Sequence, residues 1–183
     1  MNVGINEAGM GGSSGAGQSG SGATSGAVEL DTLDVTLLSL FAGWAAADDI
    51  RQRLESKGFE GIRFSDGLIF QHLVGADRTI TELAARMEVT QQAASKAVAD
   101  LQRRGWVALN VDPADARARR VALSERGLAA VEASRAVRAE LVADLTAECG
   151  TADLTAARRV LSVMIGRVGG DIAVRSRRVM PPA

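Results

Sequence analysis

Between Thr79 and Ser124 the chain reads TITELAARMEVTQQAASKAVADLQRRGWVALNVDPADARARRVALS. Two short helical patterns are parted by a tight turn, then followed by two strand-like runs around a polar, arginine-rich loop. Few folds accept that order. It describes a helix-turn-helix with a β-wing, an arrangement that sets one helix into a DNA groove.

The local chemistry agrees. Thr81 is a cap candidate for a helix beginning at Glu82, whose carboxylate favours a helix N-terminus. Ile80, Leu83, Ala84 and Met87 share one face of it. The turn Met87-Glu88-Val89 leads to a second cap candidate, Thr90, and Ala94, Ala97, Val98 and Leu101 recur at helical spacing behind it. The outward side of this second helix carries Gln91, Gln92, Ser95 and Lys96. Glutamine pairs bidentately with adenine, whereas serine and lysine suit phosphates or mixed contacts. Gly105, after the basic pair Arg103-Arg104, ends the helix.

Trp106–Leu109 and Arg120–Leu123 read as paired strands, with turn formers and arginines from Asp112 to Arg119 between them. A narrow, electronegative minor groove is probed by arginine on a protruding loop, here Arg117 with Arg119 beside it. Asp115, two residues before Arg117, has the spacing to brace its guanidinium.

The runs ELAARMEVTQQAASKAVADLQRRGWV and DPADARARRVALSERG resemble the MarR family of bacterial winged-helix transcriptional regulators, with the close match over about Thr79–Gly127. Asp115-x-Arg117 followed by Leu123-Ser124 matches that family's wing motif. The resemblance implies that Arg117 enters the minor groove, that Asp115 braces it, and that Thr90 to Lys96 meet the major groove. Two departures stand out. Ala116 replaces an arginine often found in the motif, and Glu88 fills a turn position often held by glycine, where a positive φ costs about 1 kcal/mol.

The 183 residues suffice for one domain plus a tail. Hydrophobic residues make up 46% and aromatic ones only 3%, so the expected core is aliphatic. A net charge of −1 argues against a nonspecific DNA coat, but the charge is segregated. Arginines crowd Arg86–Arg126, while acids gather at Glu29–Asp34, Asp48–Asp49 and Glu140–Glu148. Local charge is what meets phosphate. No apolar run approaches the ~20 residues of a membrane span, and no signal pattern opens the chain, so a cytoplasmic location is expected. Residues 1–28, dominated by Gly, Ser and Ala, are expected to be a disordered tail; 179–183 form a second short tail.

Asp31–Ser56 reads as a long helix, Ser65 caps a shorter one over Asp66–Leu73, and Ser124-Glu125-Arg126-Gly127 opens another long helix. A last helix begins near Thr151 or Asp153, and Gly169-Gly170 weakens its end. The expected fold is therefore mainly α with a small β-wing. Residues 29–60 and 125–178 flank a winged helix-turn-helix at 61–124. One small winged domain leaves their apolar stripes uncovered, which favours a two-fold homodimer. Its recognition helices would lie about 34 Å apart and read a palindromic operator in double-stranded DNA.

Relatives in the resembled family respond to small aromatic or phenolic ligands. The residues here suited to such a pocket are Phe41, Trp44, Phe70 and His72, each of which also reads as ordinary core or a structural hydrogen-bonded group. Cys149, beside Glu148 near a helix end, reads as buried or inert rather than as a redox sensor. One His and one Cys do not assemble a metal site, and no cofactor or enzymatic motif is present. The expected function is a sequence-specific transcriptional regulator, a repressor released by ligand. The rival reading is a winged helix that docks protein without DNA, for which an Asp-braced arginine has no use.

Overall fold

The computed structural model describes residues 29–112, 118–170, 172 and 174. The Gly/Ser-rich segment 1–28, the tail 179–183 and the wing tip 113–117, with Asp115 and Arg117, lie outside the described residues. Up to Asp34 the structure shows one 3-10 turn, Leu30–Thr32, closed by the Thr32 hydroxyl donating to the Glu29 carbonyl at 2.7 Å. From Val35 the chain forms a separate unit.

That unit contains α1 (Val35–Ser56), α2 (Phe64–Leu73), β1 (Arg78–Thr79), α3 (Ile80–Met87), α4 (Gln91–Arg103), β2 (Val107–Val111), β3 (Arg119–Leu123) and α5 (Glu125–Arg167). It is a mainly helical winged fold with one antiparallel sheet in the order β1-β3-β2. Val107 faces Leu123 and Val111 faces Arg119, so β2 and β3 form the stem of the wing. The short β1 was not foreseen: two residues carry too little alternation to read, yet they pair Arg78 with Val121 and Thr79 with Arg120.

Helix starts moved more than helix ends. The first long helix begins at Val35 rather than Asp31, because Leu33 is extended (φ −81°, ψ 137°) and interrupts propagation. In α2 the expected cap Ser65 lies inside the first turn. The Asp66 carboxylate instead accepts the Arg63 backbone N–H at 2.8 Å, and the helix begins at Phe64. In α3 the cap is Thr79, not Thr81. Thr79 Oγ1 accepts the Glu82 N–H at 3.2 Å while Glu82 Oε2 accepts the Thr79 N–H at 2.7 Å. This reciprocal box needs an acid three residues after the cap, which Thr79 has and Thr81 lacks.

Thr90 and Ser124 cap as expected, accepting from the N–H groups of Ala93 (3.1 Å) and Gly127 (3.0 Å). Glu88 adopts the left-handed conformation (φ 54°, ψ 43°), so this chain bears the strain that a glycine would relieve. The two helices expected after the wing run on as α5, broken at Gly150, whose φ of 82° and ψ of 163° no helical residue adopts. Cys149 next to it is exposed, against the expectation of burial.

The core joins Leu54 of α1, Ile69, Phe70 and Leu73 of α2, Leu83, Val98, Leu101, Trp106, Val121 and Val131. Each such side chain contributes roughly 1.5–3 kcal/mol on burial. Phe70 packs on Trp106 with ring centroids 6.2 Å apart, and the Arg126 guanidinium lies 4.0 Å from the Trp106 ring centre. Gly127 fits beneath: a Cβ there would overlap the Trp106 carbonyl oxygen. The start of α5 is thereby locked to the root of the wing.

Candidate nucleic-acid interface

The position of α4 follows from its sequence. Ala94, Val98 and Leu101, spaced for one face, are buried against α3 and the sheet. That rotation turns Gln91, Gln92, Ser95 and Lys96 to solvent, together with the cap Thr90. Two glutamine amides, a hydroxyl and an ammonium thus share one exposed face at the N-terminal half of the helix. The interaxial arrangement of α3 and α4 is fixed by the turn at Glu88 and by Val89 donating its N–H to the Ala84 carbonyl at 3.0 Å.

The wing is anchored at its base. Arg120 Nε donates to Asp112 Oδ2 at 2.9 Å, its Nη1 reaches the Asp77 carbonyl at 3.3 Å, and the Asp112 N–H closes on the Ala118 carbonyl at 3.1 Å. Arg119 is exposed at the last described step before the tip, opposite Val111. Sequence reasoning had treated Asp112 only as a turn former. Its ion pair with Arg120, eight residues away across a hairpin, is visible only once the register is known.

Behind the exposed face lies an ion-pair cluster that the sequence did not announce. Arg104 Nη1 and Nη2 donate to Asp66 Oδ2 and Oδ1 at 2.6 and 2.8 Å, and its Nε donates to Asp100 at 2.9 Å. Asp100 also accepts from Arg103 and, at 3.2 Å, from Arg63 Nη1. Burial alone would raise the Asp100 carboxyl, yet Arg104, then Arg103 and Arg63, hold it below the ordinary carboxylate value. The Arg104 guanidinium is pushed up, chiefly by its hydrogen bonds to Asp66. Of the basic pair read as a helix ending, only Arg103 is exposed; Arg104 turns inward. The Asp100–Arg104 spacing of four was a readable signal, but the reach to Asp66 was not.

Two concavities flank this cluster. A cavity of about 390 Å³ between α1, α2 and α5 has Ile50, Leu54, Ile62 and Phe70 in its wall, with Arg51, Arg63 and Arg138 among its polar groups. A groove of about 650 Å³ runs between α2 and α4, with Ile69, His72, Met87 and Lys96 along it. The four residues expected to line one pocket are not brought together. Phe70 borders the first cavity, His72 the second, and Phe41 and Trp44 border neither. Those two stack edge to face on α1 (centroids 5.6 Å) and are 48% and 61% exposed, so they are not core within this chain. Among the described residues no metal-binding cluster is present, and no helix is long and apolar enough to cross a membrane.

Helices α2, α3 and α4 with the three-stranded sheet define a winged helix-turn-helix. The model of the MarR family matches residues 61–118, about a third of the chain. Solved structures share the fold well beyond it. A point mutant of Staphylococcus aureus MepR bound to an oligodeoxyribonucleotide is 19% identical, with a TM-score of 0.54 over 74% of this chain and 99% of its own. MepR bound to ethidium bromide gives 18% and 0.56 over 75% and 99%. YusO of Bacillus subtilis gives 19% and 0.56 over 72% and 92%. No curated protein matches the chain. At these identities the likeness is one of fold.

Proposed function

We propose that the chain is a transcriptional regulator that binds double-stranded DNA as a homodimer. The observation that carries this reading is the solvent face of α4. Thr90, Gln91, Gln92, Ser95 and Lys96 present hydrogen-bonding groups on a helix whose other side is firmly buried, with the anchored wing stem beside it. Arg117 and Arg119 would probe the minor groove, with Asp115 bracing Arg117. MepR, of the same fold, has been solved on DNA, which supports the same use here.

Uncovered apolar surface supports the dimer. Leu37, Leu40, Phe41 and Trp44 on α1, and Val160, Leu161 and Val163 on α5, are all exposed. A stripe of this size on a soluble chain marks an interaction surface. The first half of α1 lies beside the second half of α5, where Ser39 Oγ meets Met164 Sδ at 3.9 Å, so the two exposed sets adjoin. Residues 29–60 and 125–178 are the dimerisation segments in this reading. Two copies then read a pseudo-palindromic operator, repress by occluding a promoter, and release DNA when a small aromatic or phenolic ligand occupies the cavity beside Phe70.

The test is selection of genomic fragments with the full chain, followed by footprinting. A protected inverted repeat is expected, with a salt-dependent shift that Arg117→Ala abolishes. No enrichment at low salt would sink the reading and put a protein partner in place of DNA.

A further inference from the structure

We propose that the groove between α2 and α4 is a docking surface for an acidic amphipathic helix of a partner protein. The groove, of about 650 Å³, combines an apolar floor with a basic rim. Leu68, Met87, Val89 and Ala97 on it are half-buried, so solvent reaches apolar atoms that the chain itself does not cover. Such a floor offers nothing to phosphate, whereas the thioether of Met87 adapts to varied apolar side chains. The walls are two helices, and the shorter, α2, has ten residues and a length of about 15 Å. A third helix of about three turns, with apolar side chains at i, i+4 and i+7, suits a trough of that kind.

The rim sets the charge of the occupant. Apart from His72, the ionisable groups bordering the groove are Arg63, Lys96, Arg103 and Arg104 against Asp66 and Asp100, four cations against two carboxylates. Arg104 takes both oxygens of Asp66 and shares Asp100. Arg63 is left with one contact of 3.2 Å and a side chain 61% exposed. Arg103 pairs with Asp100 and is 72% exposed. A surplus of two positive charges therefore edges the apolar floor. The complementary surface is an aliphatic stripe flanked by glutamate or aspartate.

The far half of the groove stays clear of DNA, a point that rests on the proposed function. The hydrogen-bonding face of α4 spans Thr90 to Lys96, while Arg103 lies seven residues, about 10 Å, beyond Lys96. Arg63 reaches α4 at Asp100, on that same far half. A partner seated between Arg63 and Arg103 shares α4 with the duplex rather than displacing it. The consequence is a second protein held beside the DNA site.

The probe is the end-capped peptide EALEELLEALEELA, titrated into the full chain carrying methyl-labelled methionine and followed by NMR. The Met87 methyl should shift, while that of Met164, beside Ser39 of α1, should stay. The same peptide with every glutamate replaced by lysine should bind at least about tenfold more weakly. Arg63→Gln and Arg103→Gln should each weaken binding of the acidic peptide about threefold. Ala99→Glu, at an exposed position bordering the groove, should abolish binding without changing the melting temperature. Equal binding of the two peptides, no binding of either at millimolar concentration, or a shift at Met164 without one at Met87 would each overturn the docking surface. A saturating DNA fragment from the selection should leave the peptide bound; its expulsion would overturn the shared occupancy of α4. A chain that takes the peptide but selects no DNA keeps the groove and loses the regulatory reading.

Discussion

Arg104, just past the end of α4, grips Asp66 in the first turn of α2 through two parallel hydrogen bonds of 2.6 and 2.8 Å. Asp66 is almost wholly buried and at the same time accepts the Arg63 backbone N–H that starts its helix. One carboxylate therefore both begins α2 and fixes the far end of α4. Replacing it with alanine leaves Arg104 beside a buried gap with Asp100 as its remaining acid. Asp66→Ala is expected to cost about 3 kcal/mol, read as a lower urea midpoint with an unchanged m-value.

Acid should act through different groups. Glu82 is held below the ordinary carboxylate value mainly by the Thr79 backbone N–H, and Asp100 is held there by its arginines against the opposing effect of burial. A folded-state value below the unfolded one gives stability that is present above about pH 4 and lost as pH falls through the folded values. The melting temperature should hold steady from neutral pH down to that point and then fall. Asp100→Asn should flatten the acid limb and lower the plateau; an unchanged limb would remove Asp100 from the account.

Gly127→Ala tests the lock between wing and α5. Its Cβ would overlap a backbone oxygen of Trp106, which has no rotamer with which to yield. The expected loss is about 3 kcal/mol, at the upper end for overpacking. Gly166→Ala, in the same helix with open space around it, should be neutral or mildly stabilising. Equal effects in the two variants would deny the close approach.

On the proposed interface, Lys96→Ala should weaken binding to all duplexes alike and reduce the log K against log salt slope by about 0.9 per chain. Gln92→Ala should leave that slope alone and relax preference at one or two base positions, seen in a randomised-site selection. A change of preference with Lys96→Ala and none with Gln92→Ala would reverse the assigned roles.

Much of this was legible because it is local. Caps at Thr90 and Ser124, the stop at Gly105, the strained turn at Glu88 and the solvent face of α4 all depend on neighbours within a few residues, where periodicity and capping chemistry act directly. The start of α3 was misplaced by two residues for want of one check, the acid three positions after each threonine. The strand at Arg78–Thr79, the Asp112–Arg120 anchor and the Arg104–Asp66 grip were not legible, since each depends on a register or a crossing that no short window contains. Phe41 and Trp44 were grouped with Phe70 and His72 on ring chemistry alone, but α1 places them outside both concavities.

Gly150 gives the longest helix a joint. The arm beyond it, Thr151 to Arg167, is about 25 Å long at 1.5 Å per residue, so each 10° of rotation at that one residue sweeps its tip through about 4 Å. The chain therefore holds a lever whose pivot is a single backbone torsion pair, and its gearing is set by arm length rather than by the strength of any bond.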